Sequence, residues 1–163
     1  MEYKNLDLKK ISIEKLQGIG VSIEDMAKMV LDLQKPYLSE LDLETCRNSV
    51  LGVLGKREVA NAILTGLALD EMANKKLLPE PILSIISNDE GLYGIDEVLT
   101  LGITNVYGSI GLTNFGYLDK EKPGILRELD QRKYTKSEVT TFADDLVAAI
   151  IAAAAASIAH NFG

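Results

Sequence analysis

Residues 146–159 read LVAAIIAAAAASIA, a 14-residue stretch with no charged side chain and dominated by alanine. Alanine is the strongest helix former, so this stretch is expected to be helical. As a helix it would extend roughly 21 Å. That is short of the ~30 Å hydrocarbon core of a bilayer, so its expected environment is a protein interior. A helix that is apolar all round must be covered all round. The small alanine side chains let the covering helices approach closely. The expected fold is therefore all-α, a compact multi-helix array around an apolar, Ala-rich C-terminal helix.

The rest of the chain reads the same way. Ser22 opens SIEDMAKMVLDLQ with Asp25 three residues on, the pattern of a capping box, and Lys35-Pro36 ends that segment. Ser39, with Asp42 three residues on, is expected to start a second helix through Leu54. Gly55 breaks it before KREVANAILTGLALDEMANKK, where Val59, Ile63, Leu67 or Ala68, and Met72 keep helical spacing. ILSIISN is read as a short helix, a further helix is allowed after Ile95, and Pro123 is placed in the first turn of another. Thr140 or Thr141 is expected to start the last helix, through about His160. With 163 residues, no repeat and no low-complexity linker, residues 1–163 form one expected domain.

Charge and residue inventory exclude several functions. Seventeen Lys and Arg against 24 Asp and Glu leave a net charge of −7. Nucleic-acid binding needs clustered basic charge, so no nucleic-acid partner is expected. The N-terminus is charged and lacks the apolar stretch of a signal peptide, and the single Cys46 cannot close an internal disulfide, which together lead us to expect a cytoplasmic protein. Cys46 is read as structural. The one histidine, His160, lies three residues from the C-terminus, a poor place for a catalytic group. The chain carries no glycine-lysine phosphate loop and no nucleophile elbow. Carboxylates, lysines and arginines remain, a set that suits a hard cation such as Mg²⁺.

Seven of the 13 glycines fall between Gly91 and Gly124. Glycine costs about 1 kcal/mol inside a helix, so this region needs close backbone approach or a broken helix that shapes a site. Three acidic clusters lie in or near it: Asp89-Glu90-Gly91-Leu92-Tyr93-Gly94-Ile95-Asp96-Glu97, Leu118-Asp119-Lys120-Glu121-Lys122-Pro123, and Asp144-Asp145 before the apolar run. A helix N-terminus accounts for acids at Asp96 and Glu97 through its dipole, and a charged loop accounts for the second cluster. Adjacent helical residues point about 100° apart, so Asp144 and Asp145 must face different ways. A charge on a buried helix is costly unless it is paired or metal-bound.

The order of these pieces resembles the phosphatidylglycerophosphatase A family, and within it the short soluble members. Asp89, then Asp96-Glu97, then Leu118-Asp119 with Lys122-Pro123, then Asp144-Asp145 at the head of a small-residue helix follow the family pattern over about residues 80–160. Gly116 stands where members carry an arginine three residues before the aspartate, and Arg127, Lys120 and Arg57 are the candidates to replace that cation.

The resemblance implies an all-helical fold and Mg²⁺-dependent hydrolysis of a phosphate monoester. It implies that Asp96, Glu97, Asp119 and Asp145 gather one or two Mg²⁺ ions, with Asp89 and Asp144 as supporting or alternative ligands. Asp96, Glu97 and Asp145 are the expected catalytic residues. Lys122 is the expected phosphate contact, and the Gly91/Gly94 turn offers backbone N–H groups to the anion. The expected partner is a lipid or small-molecule phosphate ester, met without a membrane-spanning segment but open to peripheral membrane contact. A homo-oligomer is the expected assembly. The alternatives are a soluble phosphate-ester hydrolase with the same metal site and a non-catalytic helical oligomer.

Overall fold

In a computed structural model that describes residues 3–162, the chain is helical from end to end, with no strand among the described residues. The helices are α1 (Leu8–Gly18), α2 (Ile23–Gln34), α3 (Leu43–Leu54), α4 (Arg57–Asn74), α5 (Ile82–Ser87), α6 (Ile95–Thr104), α7 (Ser109–Glu121), α8 (Ile125–Thr135) and α9 (Ala143–Phe162). A single 3₁₀ turn, Asn105–Tyr107, separates α6 from α7.

Local chemistry sets some of the starts. The Ser22 hydroxyl accepts the Asp25 N–H at 3.0 Å and the Asp25 carboxylate accepts the Ser22 N–H at 2.9 Å, so the expected capping box forms. The start of α3 lies later than expected. Asp42, not Ser39, is its cap, accepting the Thr45 N–H at 2.8 Å. Pro123 lies outside α8, which begins at Ile125 after Gly124 turns the chain at φ +57°. The last helix begins at Ala143 rather than at a threonine. The hydroxyls of Thr140 and Thr141 are directed elsewhere, donating to the carbonyls of Leu129 at 3.1 Å and Ile86 at 2.6 Å.

The helix α9 is the axis of the molecule. It touches α2, α3, α4, α6, α7 and α8, and every residue from Ala143 to Ala156 is buried. Burying a large aliphatic side chain such as Leu146, Ile150 or Ile151 contributes roughly 1.5–3 kcal/mol. Small residues set how close the neighbours come. A Cβ on Gly111 of α7 would sit 3.7 Å from the Ala156 Cβ and 3.0 Å from the Thr104 carbonyl oxygen. A Cβ on Gly66 of α4 would sit 2.5 Å from a Leu146 methyl. By length and composition α9 could cross a bilayer, but 72% of its most apolar window is covered by the protein itself. Cys46 is buried in α3 and burial pushes its thiol up to about 11, with Asp42 adding, which fits a packing role. His160 is exposed near the C-terminal end of α9.

Candidate functional site

The first turn of α9 carries Asp144 and Asp145 into the interior, where they are 3% and 5% exposed. The N–H groups that this end of the helix must satisfy are met from another helix. Asp70 of α4 accepts the Phe142 N–H at 3.0 and 3.1 Å and the Ala143 N–H at 2.8 Å. One turn further along α4, the Asn74 amide accepts the Val139 N–H at 2.8 Å and donates to the Val139 carbonyl at 3.1 Å. Segment 139–143 is thus held at both ends by α4.

The two acids of α9 face different neighbours, as their helical spacing requires. Asp144 meets cations. Lys122 Nζ lies 3.0 Å from its Oδ2, and Lys133 Nζ lies 3.7 Å from the same oxygen. Lys122 also reaches Asp119 at 3.3 Å, while Lys133 pairs with Asp130 at 3.3 Å and with Asp89. Asp145 faces carboxylates. It shares a side-chain hydrogen bond with Asp119 and feels the charges of Asp144 and Asp96.

These surroundings set the proton affinities. Burial pushes the Asp145 carboxyl up to about 10, and the charges of Asp144, Asp119 and Asp96 push the same way. Burial also raises Asp144, against the pull of Lys122 and Lys133. For the two lysines, burial disfavours the ammonium form, but Asp144 and their other acidic partners outweigh it and hold both charged.

Two residues of the cluster carry left-handed backbone. Asp89, at the end of α5, has φ +50°, and Lys122, at the end of α7, has φ +43°, in a region that non-glycine residues avoid at a cost of roughly 1–2 kcal/mol. Tyr93 ties the glycine turn to the site, its ring edge-on to Phe142 with centroids 6.0 Å apart. Gly94 opens α6 at φ +72°, and a Cβ on either Gly91 or Gly94 would meet nothing within 4 Å. The turn therefore has open space beside it.

Of the residues singled out in the sequence, Asp89, Asp119, Lys122, Asp144 and Asp145 are brought together, and Asp96 lies close enough to act on Asp145. Glu97 stands apart with its side chain exposed, and its backbone carbonyl accepts the Thr100 hydroxyl at 2.5 Å. Among the described residues, no three His, Cys, Asp or Glu side chains form a ready-made metal cage. Asp119 and Asp144 instead each turn an oxygen towards Lys122. The acids are thus partly compensated from within the chain.

Lys133 and Asp70 are the residues that sequence reasoning missed. Lys133, which the sequence reading did not put forward, is a second cation at the cluster. Its position in KYTKSEVT reads as part of a polar connector, although it lies near the end of α8. Asp70 was signalled only as a lone acid in the apolar stretch ILTGLALD.

A hollow of about 360 Å³ opens beside Asp89 and Lys133, lined also by Ser87, Asn88 and Ser137. A larger cavity, about 930 Å³, lies between α1, α4 and α8. It reaches Asp70 but touches none of Asp89, Asp96, Asp119, Asp144 or Asp145. The smaller hollow is the one that adjoins the cluster.

Comparison with known proteins gives the same reading from outside the chain. Residues 12–160 match the family described as Phosphatidylglycerophosphatase A. The protein YpjQ of Bacillus subtilis is 53% identical over 160 residues, covering 98% of this chain and 89% of that one. The crystallised low temperature requirement C protein of Listeria monocytogenes superposes with a TM-score of 0.92 at 52% identity, covering 96% of this chain and 98% of that one. A Bacillus stearothermophilus protein of unknown function superposes with a TM-score of 0.94 at 47% identity over 100% of both chains. With the match running through every element that builds the acidic cluster, the chain belongs to the phosphatidylglycerophosphatase A family.

Proposed function

We propose that this chain hydrolyses a phosphate monoester in a Mg²⁺-dependent reaction, with a phosphatidylglycerol phosphate as the first substrate to test. The observation that carries the reading is the burial of Asp144 and Asp145 among Asp119, Lys122 and Lys133 at the head of α9. Such a cluster works against stability, because buried charge is desolvated and like charges repel. Strongly perturbed buried acids with specific charge partners are candidates for a functional site.

The donors suit the ion. They are carboxylate oxygens, the ligands that Mg²⁺ prefers. Asp145, whose carboxyl burial and neighbouring acids push to about 10, is the group with most to gain from a cation. Asp145, Asp119 and Asp96 are the residues we assign to hold it, and the exposed Glu97 lies outside this set. Asp89 and Asp144 support the set through Lys133 and Lys122. When bound, Mg²⁺ would neutralise charge on the phosphoryl oxygens.

The remaining work falls to the chain. Lys122 and Lys133 stay protonated and offer N–H donors to the phosphoryl group. The open turn at Gly91 and Gly94 lets backbone N–H groups approach the anion. The hollow beside Lys133 leaves room for the alcohol half of the ester. In the reaction a water oxygen joins phosphorus, the P–O ester bond breaks, and the leaving oxygen departs as an alcohol carrying a proton from that water.

The test is inorganic phosphate release from a panel of esters, including phosphatidylglycerophosphate in detergent, with Mg²⁺ and with chelator. Mn²⁺ binding is followed in parallel by electron paramagnetic resonance. Chelator-sensitive release on the lipid supports the full reading, and release from water-soluble esters alone moves the substrate to that class. No release together with no Mn²⁺ binding at millimolar metal leaves a non-catalytic helical protein.

A further inference from the structure

We propose that Asp70 is a positioning residue for this site, acting through the backbone of segment 139–143 to fix where Asp144 and Asp145 point. The inference rests on the hydrolase reading above for its functional meaning, though not for its geometry. Asp70 lies on α4 and is 5% exposed. Its two carboxylate oxygens take the Phe142 and Ala143 N–H groups at 2.8–3.1 Å, immediately before the acids of α9.

A second grip on the same segment shows that this is more than a helix cap. Asn74 stands four residues on, so it shares a face of α4 with Asp70. Its amide brackets Val139 from both sides and also donates to the Asp70 carbonyl at 3.0 Å. The chain between these grips is fixed too. The Thr140 hydroxyl bonds the Leu129 carbonyl and the Thr141 hydroxyl bonds the Ile86 carbonyl, tying the segment to α8 and α5. α8 carries Lys133 in its last turn, and α5 ends at Ser87, two residues before Asp89. The segment is a junction at which α4, α5 and α8 meet the start of α9.

The choice of residue carries the argument further. A neutral Ser, Thr or Asn caps a helix about as well as an aspartate does. Here the cap is an acid, buried, with the charges of Asp144 and Asp89 in its neighbourhood. A carboxylate nonetheless offers two equivalent acceptors, which an asparagine cannot. Two acceptors on two successive N–H groups fix the rotation of the first turn as well as its position. Rotation matters because Asp144 must meet Lys122 and Lys133 while Asp145, about 100° away, meets Asp119. A misplaced first turn would break both sets of contacts while the rest of α9 stayed packed.

The experiment compares Asp70→Ala, Asp70→Asn and Asn74→Ala with the parent in the full chain, well below the melting temperature. Asp70→Ala is expected to lower kcat for phosphate release at least thirtyfold while KM stays within threefold. Asp70→Asn, which keeps one acceptor, is expected to recover most of that loss, and Asn74→Ala to show a smaller loss of the same kind. The carboxyl ¹³C shifts of Asp144 and Asp145 should move in Asp70→Ala with helical content unchanged. If Asp70→Ala does not fold, the same comparison is read from Asp70→Asn and Asn74→Ala. A parent that releases no phosphate, with carboxyl shifts that still move, sinks the hydrolase reading and keeps the positioning role. Unmoved shifts, or a KM that rises with kcat unchanged, overturn the positioning role and leave the hydrolase reading standing.

Discussion

The first turn of α9 and its alanine-rich middle are equally buried and chemically opposite. From Ala152 to Ala156 the helix shows only methyl groups to its neighbours, each 0% exposed. Burial there costs little, since alanine loses no side-chain freedom and hides no polar group. In the first turn, Asp144 and Asp145 are hidden to nearly the same degree. That end needs Asp70, Lys122 and Lys133 to be tolerable, and burial with the neighbouring acids pushes the Asp145 carboxyl up to about 10. One end makes the fold and the other uses it. A region that spends stability in this way, beside a hollow and with left-handed backbone at Asp89 and Lys122, is where local rules are broken for function.

The largest test of that contrast is Asp145→Asn. The change keeps shape and removes an ionisable group whose charged form the interior resists. Phosphate release is expected to fall by about a thousandfold, equivalent to about 4 kcal/mol of transition-state stabilisation. The melting temperature should hold or rise. A large loss of stability instead would mean that the charged end is structural after all.

The Asp70 carboxyl gives the next effect, through pH. Burial raises it from 3.8 to about 7, with Asp144 and Asp89 adding and the Phe142 and Ala143 N–H groups opposing. Between those values the folded chain holds a proton that the unfolded chain has released. The stability this group contributes is therefore complete below pH 3.8 and is lost as the pH rises to about 7. The swing is on the order of 4 kcal/mol at most. Urea midpoints of the parent and of Asp70→Asn should lie closest at low pH, where the acid is as neutral as the amide, and separate as the pH rises to about 7, the parent falling while the variant does not. Parallel curves would remove Asp70 as the titrating group.

The sequence made one end of α9 far more readable than the other. A run of alanine and isoleucine has a single physical solution, a helix covered on all sides, and the array around it follows. Start signals were legible where donor and acceptor were close in sequence, as in Ser22 and Asp25. They failed at Ala143, where the acceptor is Asp70, 73 residues away. The candidate acids were legible because they interrupt apolar or glycine-rich sequence. Lys133 was not, because a lysine near a helix end is ordinary until the fold places it against Asp144. Pairing across helices is a property of the packing, and spacing along the chain does not encode it.

Lys133→Met separates the site's internal compensation from its chemistry. The lysine is 17% exposed and faces Asp144, which is 4% exposed along its side chain. Removing one partner of a buried pair leaves the other uncompensated, at a cost of roughly 3 kcal/mol. Lys122 remains on Asp144, so a loss of about 2 kcal/mol is expected here, read from the chemical-denaturation midpoint. Added Mg²⁺ should restore part of it in the variant. No metal-dependent recovery would mean that the lysine and the ion do not compensate the same charges.

In the alanine-rich middle of α9, Ala153→Leu is the matching change, with no expected effect on the chemistry. Ala153 is 0% exposed on a helix packed on several sides, and the added methyl and methylene groups have no room. Overpacking of this kind costs about 1–3 kcal/mol. Metal affinity and the KM for the phosphate ester should not change, because nothing in this stretch touches the acids of the first turn. If both shifted along with stability, α9 would be moving as one rigid piece, and the division of the helix into a packing end and a chemical end would be wrong.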